Sequence, residues 1–142
     1  MDLDLGRIAR AAAPSLAVWT VFVVLPTLLG APQVICITPM AWLLALVAGL
    51  GGPVAKWRAE PPGKPLDARE GALAGLLVTA YEGALYVVWL VFFLRPLVRP
   101  DEVAGMWVVN VFLVGGGLAV GASLGLVGAL LRRMGRKGED NA

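Results

Sequence analysis

Glu82 is the side chain in this sequence with the clearest capacity for chemistry, because it lies inside a long apolar stretch. Residues 71–97 contain no other charged side chain before Arg95. An α-helix rises about 1.5 Å per residue, so Glu82 would lie roughly 16 Å in from Gly71, near the middle of a hydrocarbon layer about 30 Å thick. Ionisable groups at that depth are costly and commonly mark proton or ion sites. Glu82 is therefore the first candidate for a functional residue.

Two roles are open for Glu82, a structural hydrogen bond and a proton or cation site. The apolar segments contain no internal Lys or Arg, and desolvation penalises a charged carboxylate, so we expect a protonated side chain at neutral pH. Its candidate partners are backbone carbonyls and four polar side chains, Thr79, Tyr81, Tyr86 and Asn110. A structural Glu82 should tolerate replacement by Gln, whereas a Glu82→Gln variant of an ion site should fold and lose transport. From the sequence alone we favour the structural role.

Glycines share a helical face with Glu82 and form a second face on the last apolar segment. At about 100° per residue, Gly71 and Gly75 fall within about 20° of Glu82. The second face, on the segment that contains Asn110, comprises Gly117, Gly121, Gly125 and Gly128. The first three of these form a doubled GxxxG pattern, which lets helix backbones approach closely. The two faces predict that these helices pack on each other or on another protein, with Gly121 at a contact.

The sequence has no set of residues typical of an enzyme or of a metal or cofactor site. It has no histidine, which excludes histidine ligation of metal or haem and catalysis by Ser-His or Cys-His pairs. The only cysteine is Cys36, so an internal disulfide is excluded. No glycine-rich phosphate loop ends in Lys-Ser or Lys-Thr. We predict a protein that is not an enzyme, with no catalytic residues, no cofactor and no metal.

The composition indicates an integral membrane protein. Hydrophobic residues make up 58% of the 142 residues and charged residues 15%, and the mean hydropathy is +0.78. Soluble domains usually contain about 25% charged residues. The net charge is only +2, and the basic residues flank apolar segments. We therefore predict the lipid bilayer as a partner, together with other membrane subunits or further copies of the chain, and no nucleic acid.

Four apolar segments predict an all-α, polytopic membrane protein with a single domain over residues 1–142. The predicted spans are about 11–29, 35–52, 71–95 and 103–131, with a polar loop at 53–70 and a basic tail at 132–142 that we expect to be frayed. The start of the second span stays open between Gln33 and Pro39. A cleaved signal peptide is the alternative reading of the first span, and early aspartates with a poor cleavage site disfavour it.

Helix caps and charges give the predicted ends and orientation of the spans. Asp4 is placed to cap the first helix, and Asp67 with Glu70 resembles a capping box before the third. Ten of the twelve Lys and Arg residues lie on the side of the termini and the polar loop. Only Arg95 and Arg99 lie on the other side. This bias predicts a multi-pass protein of the cell membrane with both termini in the cytoplasm.

The length and the four-span topology are similar to those of small multidrug transporters, a family with a membrane-embedded glutamate. In that family the glutamate lies in the first helix, whereas the first apolar segment of this chain has no charge. Small fluoride channels also have four spans, but this sequence has no matching polar motif. The resemblance therefore implies topology and no function.

Two functions from different classes are predicted. The first is a non-catalytic integral membrane subunit that packs within and stabilises a larger membrane complex. The second is a small homo-oligomeric transporter or channel coupled to a proton or cation through Glu82. The glycine faces, the basic tail and the proline-containing loop offer docking surfaces, so the sequence favours the first.

Overall fold

The computed structural model describes residues 4–29, 38–51 and 65–140, and these residues are almost entirely helical. The helices are α1 (Leu5–Leu28), α2 (Thr38–Gly49), α3 (Ala68–Trp89) and α4 (Val103–Asp140). α3 continues directly into a π-helical turn (Leu90–Leu94) and a 3-10 turn (Arg95–Leu97). No strand occurs within the described ranges, so the all-helical prediction is confirmed for them.

Three helical segments are long and apolar enough to cross a membrane, namely Leu5–Leu25, Ala68–Leu97 and Val103–Gly135. α2 is also apolar, but its 12 residues would extend only about 18 Å. That length is short for a hydrocarbon layer of about 30 Å. The predicted start of the second span before residue 38 lies outside the described residues. The described part is therefore an all-helical chain with three to four long apolar helices.

The predicted caps are present at the starts of α1 and α3. The Asp4 carboxylate accepts a hydrogen bond from the backbone N–H of Arg7 at 3.1 Å, and α1 begins at Leu5, six residues before the predicted span. The Glu70 carboxylate accepts a hydrogen bond from the backbone N–H of Asp67 at 2.8 Å, and the capping box predicted there is present. These caps satisfy N–H groups that would otherwise lack intrahelical partners.

The expectation of a frayed basic tail was wrong, because α4 continues to Asp140. The Arg132 guanidinium donates a hydrogen bond of 2.6 Å to the carbonyl oxygen of Leu50 at the end of α2. Arg133 forms an ion pair with Asp67 at the start of α3. Arg, Lys and Met are good helix formers, and an established helix extends at little cost. The basic residues therefore extend α4 and join it to two neighbouring helices.

The start of α1, the start of α3 and the last third of α4 meet at one end of the bundle, which we call the terminal end. Ala11, Leu66 and Ala129 form a buried cluster there. The Arg7 guanidinium lies 3.3 Å from the Glu70 carboxylate, whose side chain is nearly buried. We call the opposite end the turn end, because residues 98–102 connect α3 to α4 there. Its buried cluster comprises Trp89 and Leu90, with Tyr86, Met106 and Trp107 packed against them.

Toward the terminal end, glycines let the backbones of α3 and α4 touch. A Cβ atom added to Gly75 would meet the carbonyl oxygen of Gly121 and would lie 2.9 Å from the Cα atom of Gly125. A Cβ atom added to Gly125 would meet the carbonyl oxygen of Gly71. Gly121 lies against the side chain of Thr79. No residue larger than glycine fits these positions without separating the two helices.

α2 packs on the same part of α4, an arrangement that the sequence analysis did not predict. A Cβ atom added to Gly49 would meet the carbonyl oxygen of Gly125, and one added to Gly128 would meet the carbonyl oxygen of Leu46. The turn that follows α2 contains Gly51, whose φ of +90° is a conformation that side-chain-bearing residues rarely adopt. Three helices therefore converge at Gly125, and close packing within the chain uses most of the predicted glycine faces.

Candidate functional site

Between the glycine contact and the turn end, the helices separate around a cavity of about 200 Å³. All four helices contribute to its lining, and Glu82 is the only charged residue among the described residues that line it. The lining residues are Trp19, Val23, Trp42, Thr79, Glu82, Gly83, Leu85, Tyr86, Leu113, Val114 and Gly117. A single carboxyl group therefore lies in an otherwise apolar and aromatic cavity.

The two ends of the cavity differ in the size of the side chains that separate α3 from α4. On the terminal side, Thr79 packs on Gly121 and the backbones touch beyond it. On the turn side, the Tyr86 hydroxyl donates a hydrogen bond of 2.5 Å to Asn110 Oδ1, and the Tyr86 ring stacks on Trp89. Small residues draw the helices together at one end, and large ones hold them apart at the other. The cavity forms where α3 and α4 begin to separate.

α1 closes one side of the cavity and is fixed by polar contacts. The hydroxyl groups of Thr20 and Tyr81 share a hydrogen bond of 2.7 Å, which joins α1 to α3. The Ser15 hydroxyl donates to the carbonyl oxygen of Leu44 at 3.0 Å, which joins α1 to α2. Trp19 is only 2% exposed, and its indole N–H has no hydrogen-bond partner in the part of the chain that the structure describes. Trp19 therefore has a buried hydrogen-bond donor without a partner among those residues, which is a costly group to bury.

Glu82 makes neither a hydrogen bond nor an ion pair with any of the described residues. This differs from the expected structural hydrogen bond. The Thr79 hydroxyl donates back to the carbonyl oxygen of Gly75 at 3.1 Å, one turn earlier in its own helix. Tyr81 and Tyr86 are directed to other helices, where they bind Thr20 and Asn110. The polar groups predicted around Glu82 thus form hydrogen bonds with other side chains or with the backbone.

The structure sorts the residues singled out in the sequence into three groups. Thr79, Glu82 and Tyr86 line the cavity together, with Asn110 behind Tyr86. Tyr81 joins α1 instead. Five of the six predicted packing glycines lie in helix contacts, whereas an atom added to Gly117 would meet nothing within 4 Å, and Gly117 lines the cavity.

Trp19 and Trp42 were not predicted as site residues. Both lie inside apolar segments, where an indole ring is normally part of the apolar packing. Only the packing of α1 and α2 on α3 brings them to the cavity that Glu82 lines. An indole N–H in the interior of a segment with few other polar groups is the signal that could have marked Trp19.

Comparison with known protein families, curated proteins and solved structures finds no match to this sequence. The function must be inferred from the site itself.

The donor set of the cavity limits the ligands that it can hold. The described residues contain no group of three or more His, Cys, Asp or Glu side chains that could hold a metal ion. Divalent cations such as Ca²⁺ need six or more oxygen ligands, and the cavity offers one carboxyl group and the Thr79 hydroxyl. A lone carboxyl group in apolar surroundings is suited to binding a proton or a monovalent cation.

Proposed function

We propose that this chain is a small proton- or cation-coupled membrane transporter or channel in which Glu82 is the binding group. The observation that supports this most directly is the position of Glu82, which is the only charged residue among the described residues that line a cavity between four helices. Glu82 lies roughly 20 Å from either end of the apolar segment Ala68–Leu97. A carboxyl group at that depth is expensive to keep and is retained where it has a function.

The proposal places the chain in the cell membrane with four spans, α2 completing the second, and with both termini in the cytoplasm. The distribution of bases supports this, because Arg7, Arg132 and Arg133 cluster at the terminal end. Within the part of the chain that the structure describes, Arg95 and Arg99 are the bases that lie next to the turn of residues 98–102. With this orientation, the terminal end faces the cytoplasm and the cavity lies within the bilayer.

In this proposal, the exchange of a proton for a cation at Glu82 couples the movement of the two across the membrane. No cationic side chain of the described ranges lines the cavity, so we expect an ionised Glu82 to require a bound cation and a vacant Glu82 to require a proton. Proton and cation therefore compete for one carboxyl group. A protein that exposes this group alternately to the two sides of the membrane would move one in exchange for the other.

The proposed working form is a homo-oligomer. The lining residues Trp42 and Leu113 are 37% and 60% exposed, so the cavity is open on the side between α2 and α4. A second copy packed on that side would enclose the cavity and provide a surface against which the helices can rearrange. Symmetric assemblies of this kind are the commonest form of oligomer.

Proteoliposomes containing the purified chain and a pH-sensitive dye test the proposal. An imposed cation gradient should drive a proton flux with wild-type protein and none with Glu82→Gln, while both proteins keep the same melting temperature. Glu102→Gln is the matched control, because it makes the same chemical change at an exposed position outside the cavity. Equal fluxes for wild type and Glu82→Gln, or no flux above empty liposomes with any cation, would contradict the proposal.

A subunit of a larger membrane complex is the second candidate. The part of α4 nearest the turn end favours it, because atoms added at Gly105, Gly115 and Gly116 would meet nothing within 4 Å. Phe112 on the same part of the helix is 77% exposed. Small residues on an open face suit close contact with another helix. Mass measurement in mild detergent separates the candidates: foreign subunits in fixed stoichiometry support a complex, and a symmetric homo-oligomer supports the transporter.

A further inference from the structure

We propose that the first part of α1 is a lid that closes the cavity on the side of the terminal end. This segment, residues 5–13, is called the arm. Pro14 is its hinge, and the ion pair between Arg7 and Glu70 is its latch. The inference rests on the proposed function, because the arm would open the site at Glu82 to the cytoplasm.

Pro14 interrupts the hydrogen bonding of α1 directly after the arm. α1 runs from Leu5 to Leu28, so this proline lies in the interior of the helix. Proline has no backbone N–H to donate to the carbonyl oxygen four residues earlier, which is that of Arg10, and its ring crowds that carbonyl group. Helices bend most readily at such a point. The arm can therefore turn as a unit relative to the rest of α1.

The polar contacts on the two sides of Pro14 differ in kind. Beyond it, buried and half-buried hydroxyl groups fix α1 to α2 and α3 inside the bundle. Before it, the Arg7 guanidinium contacts the Glu70 carboxylate at 3.3 Å and the carbonyl oxygen of Pro65 at 3.2 Å. Arg7 is partly exposed at the terminal end, so water can replace these contacts when the arm moves. Glu70 also caps α3 and stays in place without the arm.

The arm covers the wall of the bundle next to the cavity. Ile8 and Ala12 on the arm pack in a buried cluster that includes Val78 of α3, whose side chain is fully buried. Thr79, the next residue of α3, lines the terminal side of the cavity. An arm that lifted at Pro14 would uncover Val78 and open a path from the terminal end to Thr79.

The other helices at the terminal end are joined more tightly than the arm. α2, α3 and α4 touch through backbone atoms around Gly125, and the ion pair between Arg133 and Asp67 also joins α4 to α3. Separating them would break backbone contacts along more than one helical turn. The contacts of the arm described above are made by its side chains, and its covering residues are small. The arm is therefore the element of this wall that moves with the least rearrangement.

Thiol labelling at the terminal side of the cavity tests the inference. The full-length protein carries Cys36→Ser, which removes the native thiol, and Thr79→Cys, which places a thiol in the cavity lining. It is reconstituted in lipid nanodiscs and treated with 2-sulfonatoethyl methanethiosulfonate, a charged reagent that does not cross lipid. The labelling rate, followed by intact mass, measures the population in which the arm is open.

Arg7→Gln should release the latch and raise the labelling rate about tenfold, because it shifts the population toward the open arm. Arg10→Gln is the matched control. It removes the same charge from the arm one turn later, at an exposed side chain that donates to the Gly6 carbonyl oxygen of its own helix, and should leave the rate unchanged.

Pro14→Ala tests the hinge in the opposite direction. It restores the missing N–H and stiffens α1, so labelling should slow severalfold while the melting temperature rises. Pro26→Ala makes the same change near the other end of α1 and should leave the labelling rate unchanged. Slower labelling cannot result from misfolding, so Pro14→Ala decides alone if Arg7→Gln does not fold.

A folded Arg7→Gln variant or a Pro14→Ala variant that labels at the wild-type rate would overturn the inference. Equal acceleration by Arg7→Gln and Arg10→Gln would also overturn it, because charge alone would then explain the effect. Labelling does not depend on transport, so the two proposals fail separately. If the rates follow the expected order while no cation drives a proton flux in proteoliposomes, the arm moves and the proposed function fails. If a flux occurs and all variants label equally, the function stands and the lid is wrong.

Discussion

Tyr86 and Glu82 lie one helical turn apart in α3, but their side chains have different surroundings. The Tyr86 hydroxyl is bound to Asn110 on α4, and the Asn110 amide in turn donates to the Met106 carbonyl at 2.7 Å. This chain of hydrogen bonds closes the turn side of the cavity. Glu82 has no such partner among the described residues and faces the cavity. One polar group therefore stabilises the bundle, and the other is left available for a ligand.

The hydrogen bond between Tyr86 and Asn110 is testable by a double-mutant cycle. We expect Tyr86→Phe to destabilise the folded protein by about 0.6 kcal/mol and by no more than about 1.7 kcal/mol, the mean and the maximum measured for hydrogen bonds between membrane helices. Asn110→Leu should cost a similar amount, and the double variant should cost less than the sum because both changes break one bond. The free energy of unfolding in mixed detergent micelles measures each term. Simple additivity of the two changes would contradict a direct bond.

At the scale of helices, glycine decides where α3 and α4 touch and where they separate. Gly125 contacts Gly71 and Gly75 on α3 and Gly49 on α2, whereas an atom added to Gly116 on the same helix would meet nothing within 4 Å. Both glycines have the same intrinsic helix propensity. Any difference in stability between their alanine variants therefore measures the effect of the helix contact at Gly125.

Gly125→Ala should destabilise the protein by about 1–3 kcal/mol or more, because the added methyl group forces two backbones apart. Gly116→Ala is the matched control and should be neutral or stabilise the helix by up to about 1 kcal/mol. Detergent-induced unfolding of the two variants provides the measurement. Equal stability of the two alanine variants would show that the helices do not meet at Gly125.

The sequence predicted the helices and their caps better than it predicted the site. Apolar length and the signals at Asp4, Asp67 and Glu70 are local, so helix starts could be located from neighbouring residues alone. The extension of α4 to Asp140 was missed although the good helix formers there are also a local signal, and the ion pair that joins α4 to α3 links Arg133 with Asp67, 66 residues away.

The cavity was missed for a related reason. Gly71, Gly75 and the later glycines indicated that two helices could approach, but a sequence pattern does not tell where the approach ends. The separation depends on Tyr86 and Trp89 packing near Asn110, and the ring of Trp19 reaches the site only through the packing of α1 on α3. Site geometry of this kind follows from tertiary contacts between all four helices.

At the scale of the whole molecule, charge and packing divide the bundle into two ends. The terminal end has ion pairs between Arg7 and Glu70 and between Arg133 and Asp67, together with the glycine contacts. The turn end is aromatic and has two nearby bases, Arg95 and Arg99. This asymmetry would fix the direction of insertion and place the cavity between a tightly packed end and an aromatic one.

Reporter fusions test the proposed orientation. A reporter placed after Arg99 should be active on the external side, and one placed after Ala142 should be active in the cytoplasm, because the sequence predicts ten of the twelve bases on the terminal side. A fusion after residue 51, at the end of α2, should also report the cytoplasm if α2 completes a full span. Finding the reporters after Arg99 and Ala142 on one side would contradict the topology.

The chemical reactivity of Glu82 tests whether this carboxyl group is a cation site within the apolar interior of the bundle. Dicyclohexylcarbodiimide is an apolar reagent that modifies carboxyl groups in apolar surroundings. Intact-mass and peptide mass measurements on the purified protein should show modification at Glu82, and a cation that drives proton flux in proteoliposomes should protect it. Glu82→Gln should lose this modification and keep its melting temperature. An unreactive Glu82, or a modification rate that no cation changes, would contradict the account.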